Sequence, residues 1–150
     1  MHIFIAADHN GFAMKNDLAE WLKADGHTVE DFGPVEFNKD DDYPDFGIKV
    51  AEAVAEDPTN RYGILLCGSG VGMAVGADKV PGIRAALIHD PAIAAAAQRD
   101  DDINVLALGA QYIDINTAKK IITNWLTTPF SEEERHKRRI GKITQYEKSR

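Results

Sequence analysis

The chain has 150 residues, 24 acidic and 17 basic, for a formal charge of −7. That length suits one domain able to bury its own core, and 44% hydrophobic with 27% charged residues describes a folded domain, not a disordered one. Net acidity argues against a general nucleic-acid binder, the single cysteine excludes an internal disulfide or an all-cysteine metal site, and no apolar run approaches the roughly 20 residues of a membrane span.

The first apolar run, residues 2–7, reads as a strand that turns polar at Asp8, too soon for a signal-peptide core. A cytoplasmic protein is therefore expected. Phe12, Leu18, Trp21 and Leu22 recur at helical spacing, which predicts a helix over 11–25 stopped by Gly26. A strand over 28–33 and a helix over 44–56, opened by Pro44, follow. Next come a strand over 62–67, a helix over 70–79, a strand over 83–88 and a helix over 91–99. A strand over 104–109 and a helix over 114–127 close the series. The runs 62–67, 83–88 and 104–109 are nearly continuous in apolar residues, as strands buried on both faces are. Alternating strands and helices joined by short connections predict a three-layer, doubly wound α/β fold, Rossmann-like, with five parallel strands in a single domain.

After Pro129 the alternation stops. Ser131 reads as an N-cap with Glu134 as its capping-box glutamate, opening a last helix over about 131–149. Residues 131–150 carry a net +3, so the preceding 130 carry −10. A basic helix on an acidic body suits anion binding or docking on a partner subunit, and a solvated face of mixed charge is the ordinary alternative.

In a doubly wound sheet, ligands bind outside the carboxyl ends of the strands. Polar groups crowd the predicted strand ends: Asp8-His9-Asn10-Gly11, Cys67-Gly68-Ser69-Gly70-Val71-Gly72, His89-Asp90-Pro91 and Arg99-Asp100-Asp101-Asp102. They are expected on one edge of the sheet. The Cys67–Gly72 segment is the most informative. Alternate glycines between a buried strand and a helix leave N–H groups free to face an anion. It is neither a dinucleotide fingerprint, since Met73 stands where the third glycine would fall, nor a P-loop, since no Gly-Lys-Ser/Thr follows. Thiols beside helix N-termini are shifted toward the thiolate, which makes Cys67 a candidate base or nucleophile. A cysteine ending a buried strand is also an ordinary core residue. His9 is a candidate acid, base or phosphate contact, and Asp42-Tyr43-Pro44 a loop able to cover a pocket. Arg135 and Arg139 project from one helix face, with His136 beside them.

Together Asp8-His9-Asn10-Gly11, Asp42-Tyr43-Pro44, Cys67 to Gly72, Gly82-Ile83-Arg84-Ala85, Asn104-Val105-Leu106 and Arg135-His136-x-x-Arg139 resemble the ribose-5-phosphate isomerase B / galactose-6-phosphate isomerase family, in order over nearly the whole chain. The resemblance implies an aldose–ketose isomerase acting on a sugar phosphate through an enediolate, without metal or cofactor. It implies a homodimer, or a dimer of dimers, with active sites at the interface. By that likeness Cys67 is the base, and Gly68, Ser69, Gly70, Val71 and Gly72 hold the enediolate oxygen. Asp8 and Tyr43 then contact the sugar, and His9, Arg135 and Arg139 the phosphate, with His136 alongside. Two positions depart from the family pattern. Asp100-Asp101 stand where family members carry His-Asn, the histidine assigned to ring opening, so Asp100 is the candidate base there and Asp101 a sugar contact. Gln111 stands where an arginine meets phosphate. A ribose 5-phosphate isomerase, a subunit of a hetero-oligomeric galactose-6-phosphate isomerase and a non-catalytic sugar-phosphate binder all fit this pattern.

Overall fold

The computed structural model describes residues 1–150. Strands β1 (His2–Ala7), β2 (Thr28–Asp31), β3 (Arg61–Cys67), β4 (Ala85–Leu87) and β5 (Val105–Gly109) form one sheet in the order β2-β1-β3-β5-β4. Every pairing is parallel. Helices α1 (Phe12–Ala24), α2 (Tyr43–Ala55), α3 (Val71–Ala77), α4 (Pro91–Asp101) and α5 (Ile115–Thr127) alternate with the strands, and α6 (Glu134–Lys148) follows.

Alternation along the strands builds two cores. Ile3, Ile5, Ala7, Ile64, Leu66, Leu106 and Leu108 face α1, α4 and α5, where they meet Leu18, Leu22, Ala94, Ile121 and Trp125. Phe4, Ala6, Leu65, Cys67, Val105 and Ala107 face α2 and α3, against Val50, Val54, Met73 and Ala77. Each large aliphatic side chain so buried contributes about 1.5–3 kcal/mol. Trp125 is tied down inside the first core, its Nε1–H donating to Gln98 Oε1 (2.8 Å) and the Ile103 carbonyl (3.1 Å). The chain leaves β1 toward β2 on one side and returns across it to β3 on the other, with α1 and α2 on opposite faces. The strand order therefore reverses between β1 and β3, and a crevice opens outside their carboxyl ends.

Three expectations are corrected. The edge strands are shorter than read: β2 ends at Asp31 and is largely exposed, and β4 spans three half-buried residues. An edge strand has one ladder partner and one open side, so apolar content alone overestimates its length. The capping box does not form. Helix α6 starts at Glu134 after Glu133, without a side-chain cap. Ser131 Oγ instead meets His136 Nδ1 at 2.7 Å and accepts from the Glu133 N–H at 3.3 Å, so it organises the turn before the helix. Asp100 and Asp101 do not share an edge with Asp8, His9 and Cys67. They end α4, which runs antiparallel to the sheet and delivers the chain to the start of β5.

The loop from Phe32 to Asp42 is held by a buried cation. Lys15 is fully buried, and its Nζ donates to both Asp31 oxygens (2.8 and 2.7 Å) and to the Pro34 carbonyl (2.9 Å). A charge buried in this way needs those partners, and the loop takes its course over β1 from them.

Candidate active site

At the crevice, β1 ends in Asp8, 5% exposed, whose Oδ1 accepts the N–H groups of Asn10 (2.9 Å) and Gly11 (3.2 Å). This Asx turn reverses the chain into α1 and places His9 at the rim. Strand β3 ends in Cys67, also 5% exposed. Its Sγ accepts the Gly70 N–H at 3.1 Å. Gly70 takes a left-handed φ of 80°, and a Cβ there would lie 2.9 Å from the Leu108 carbonyl carbon and 3.0 Å from the Gly109 nitrogen. Only glycine lets the turn pass so close to β5. Ser69 Oγ accepts the Val71 N–H at 3.3 Å, while the N–H groups of Gly68, Ser69, Gly72 and Met73 have no protein acceptor. Unpaired donors beside a thiol are an arrangement able to bind an oxyanion.

Tyr43 opens α2 and lays its ring on Gly72. A Cβ at Gly72 would fall 2.6–2.9 Å from three ring carbons. Gly72→Ala is therefore expected to push the 39%-exposed Tyr43 outward, raising KM about tenfold while the melting temperature barely moves. Steady-state kinetics with a thermal melt checks this.

Residues 8–11, 43 and 67–72 thus come together at one edge. The second group lies at the other. Asp100 is gripped by Arg99, whose Nε and Nη2 donate at 2.8 and 3.0 Å, and that pair holds its carboxyl below the usual carboxylate range. Asp100 Oδ1 lies 3.8 Å from Nδ1 of the buried His136. Helix α6 crosses this edge, with Arg135 and Arg139 exposed near its start. Near its end, Glu147 Oε2 accepts the Gly82 N–H at 3.2 Å. The Gly82–Ala85 and Asn104 segments are structural here. Asn104 links the Arg84 N–H (2.9 Å) to the Gly82 carbonyl (2.9 Å), and the Arg84 guanidinium holds the Asp102 carbonyl. A cavity of about 490 Å³ also opens at this edge, walled by Ile83, Ala86, Ile140, Ile143 and Tyr146. Its apolar walls fit the underside of α6 rather than a sugar site. The seven residues of β3 separate the two edges by about 20 Å. Within one chain, Arg135, Arg139, His136, Asp100 and Asp101 cannot reach Cys67.

Sequence reasoning missed Asp41. Its Oδ1 accepts both the His9 backbone N–H (3.0 Å) and His9 Nδ1 (2.7 Å), and its Oδ2 is buried without a partner. Chiefly through that hydrogen bond, His9 titrates above its ordinary value, with Asp8 and Asp40 adding to the field and partial burial opposing it. In Asp40-Asp41-Asp42 nothing local distinguishes the middle residue. Only the loop's return over β1 selects it. Asp8, His9 and Asp41 are also the three groups whose ligand atoms lie within 4.8 Å of one another, close enough to share a cation. Asp41 Oδ1 is already bonded to His9, and Asp8 Oδ1 to the Asn10 turn, which makes them a polar network first.

The fold and this crevice define a doubly wound α/β domain with a cysteine at its switch point. The Ribose/Galactose Isomerase family matches residues 3–143, and the chain belongs to that family. It is 37% identical over 149 residues to ribose-5-phosphate isomerase B of Mycobacterium tuberculosis, covering 99% of this chain and 91% of that one. The crystal structure of the Mycoplasma genitalium ribose-5-phosphate isomerase B with bound ribulose-5-phosphate superposes with a TM-score of 0.97 at 42% identity, over 99% of this chain and 97% of that one. The type B enzyme of Trypanosoma cruzi gives 0.93 at 41% identity, over the full length of both. No helix is long and apolar enough to cross a membrane.

Proposed function

We propose that the protein interconverts ribose 5-phosphate and ribulose 5-phosphate through an enediolate, in the cytoplasm, with Cys67 moving the proton between C1 and C2. The observation that carries this reading is the Cys67–Gly72 turn, in which a strand-end sulfur sits beside a run of unpaired N–H donors. Enediolate chemistry needs one modest base and fixed donors where negative charge develops, and the turn offers both without a metal. Cys67 takes the C2 proton of the open-chain aldose, leaving the electron pair on the enediolate. The N–H groups of the Gly68–Gly72 segment, with Ser69, steady the oxygen, a proton passes from O2 to O1 so that the enediolate charge sits on O2, and Cys67 returns its proton at C1. Asp8 and Tyr43 hold sugar hydroxyls.

The phosphate needs positive charge, and at the crevice rim His9 is the candidate to supply it. The two edges are complementary halves of one site, so the exposed Arg135 and Arg139 come from a second copy of the chain, with His136, Asp100 and Asp101 around the sugar. An isologous pair places each basic helix start over the other's crevice, and the assembly is a dimer or a pair of dimers. Asp100 accepts a proton on ring opening, though the Arg99 pair makes it a weaker base than an imidazole. A coupled assay on five- and six-carbon aldose phosphates tests the reading. Turnover of ribose 5-phosphate is expected, and turnover of hexose 6-phosphates alone, or of nothing, overturns it.

A further inference from the structure

We propose that Asp41 is a positioning residue which, through the hydrogen-bonded chain Asp41–His9–Asn10–Gln111, sets the polarity of a wall over the Gly68 turn, so that Gln111 offers donors to a phosphate when His9 is protonated. The inference rests on the sugar-phosphate reading above and adds what controls its anion contact.

The chain crosses the ends of three strands. The Asp41 side chain is 6% exposed and has no lysine or arginine partner, and His9, through its backbone N–H and Nδ1, is its hydrogen-bond partner. His9 Nε2 lies 3.1 Å from the Asn10 amide nitrogen, and the Asn10 oxygen accepts from Gln111 Nε2 at 3.1 Å. A Cβ on Gly68 would lie 3.2 Å from Gln111 Oε1 and 3.4 Å from Asn10 Nδ2. The two amides therefore roof the first glycine of the turn, and the Gln111 oxygen faces it.

This arrangement is that of a neutral imidazole. Nδ1–H donates to Asp41, Nε2 accepts from Asn10, and the end of Gln111 left over Gly68 is an acceptor, which repels an anion. A proton added from solvent at Nε2 reverses each link. The imidazolium must donate, so Asn10 turns its oxygen to the ring and its NH₂ to Gln111. Gln111 in turn gives its oxygen to Asn10 and swings its NH₂ over Gly68. One proton thus converts the wall from acceptor to donor and adds a positive charge behind it. A neutral amide thereby serves where the family pattern has an arginine. The groups facing His9 are Asp41 and Asp40 from the loop, Asp8 from β1, and the Phe37 ring edge-on at 6.5 Å. All three charges are negative and favour the protonated ring, Asp41 most strongly. Anion binding is then present below the raised His9 pKa and lost as pH rises through it.

Asp41→Asn keeps an acceptor for Nδ1–H and removes the charge. The test follows the His9 imidazole by NMR, assigned by its loss in His9→Gln, and calorimetric binding of inorganic phosphate across pH. In Asp41→Asn, His9 is expected to titrate at lower pH. At the same neutral pH, phosphate binding weakens and KM for the sugar phosphate rises, each about tenfold, with kcat within about twofold. Comparison at one pH cancels the titration of phosphate itself. Gln111→Leu, the second variant, should lose the same phosphate affinity while leaving the His9 titration in place. An unchanged His9 titration in Asp41→Asn, or full phosphate affinity in Gln111→Leu, overturns the proposal. Failure of the unaltered protein to isomerise ribose 5-phosphate would instead overturn the functional reading, because the His9 titration and phosphate binding do not depend on turnover.

Discussion

Cys67→Ala is expected to lower kcat for ribose 5-phosphate by about 10²–10⁴-fold, the range for loss of a positioned general base, with the fold retained. The sulfur is small and ends a strand whose ladder to β1 and β5 does not depend on it. Its loss removes only a short packing contact in the α2–α3 core, about 1 kcal/mol. Cys67→Ser is the sharper variant. It preserves size and can accept the Gly70 N–H that meets Sγ at 3.1 Å, yet an alcohol is far too reluctant to lose its proton to serve as a base at neutral pH. Both variants should still be occupied by product, since the N–H donors and the phosphate contacts are untouched. The measurement is kcat from the coupled assay together with calorimetric binding of ribulose 5-phosphate. More than a tenth of normal kcat in Cys67→Ser would remove Cys67 from the base role and leave it a core residue.

Mixing two impaired variants should restore activity. Arg139→Ala alone is expected to reduce kcat/KM by about 10–100-fold, the worth of a charge-assisted contact to phosphate. Cys67 and Arg139 lie at opposite edges of the sheet, so in an isologous pair each site draws Cys67 from one chain and Arg139 from the other. A mixed dimer of Cys67→Ala and Arg139→Ala chains therefore contains one site with both defects and one with neither. Random re-pairing of equal amounts makes half the dimers mixed, and about a quarter of all sites become native. Recovery of about a quarter of the normal activity after exchange, with mixed dimers counted by native mass spectrometry, is the expected result. A mixture no more active than its components, despite full exchange, would place both residues in the same chain's site or remove Arg139 from the site.

The apolar strand at residues 62–67 and the glycines after it were legible because their signals are local. A strand buried on both faces must be apolar at successive positions, and a turn pressed against a neighbouring strand must be glycine. Gly70 satisfies the second condition in the structure, with its left-handed φ and its approach to Leu108 and Gly109. Alternation of strands and helices likewise carries the fold class, since a parallel sheet needs a crossover after each strand, and Pro44 and Gly26 mark helix ends where they were read. Misreadings arose where the signal was not local. Ser131 has the spacing of a capping residue, but the buried His136 competes for its hydroxyl. The short β4 is apolar because it packs against the ground under α6, not because it runs through the sheet's centre.

What the sequence by itself determined is the class of fold, the cysteine with its glycine turn, and the concentration of positive charge in the last helix, because each follows from residue type and spacing along the chain. Only the tertiary structure decided that Asp41, rather than its acidic neighbours, pairs with His9, and that Gln111 ends a polar chain over Gly68. It also decided that Asp100 and the arginines stand at the opposite edge of the sheet from the cysteine. The physical reason is common to all three. They depend on where a strand or loop lands after it has crossed the sheet, and the residues that meet there are separated along the chain by as many as 101 positions.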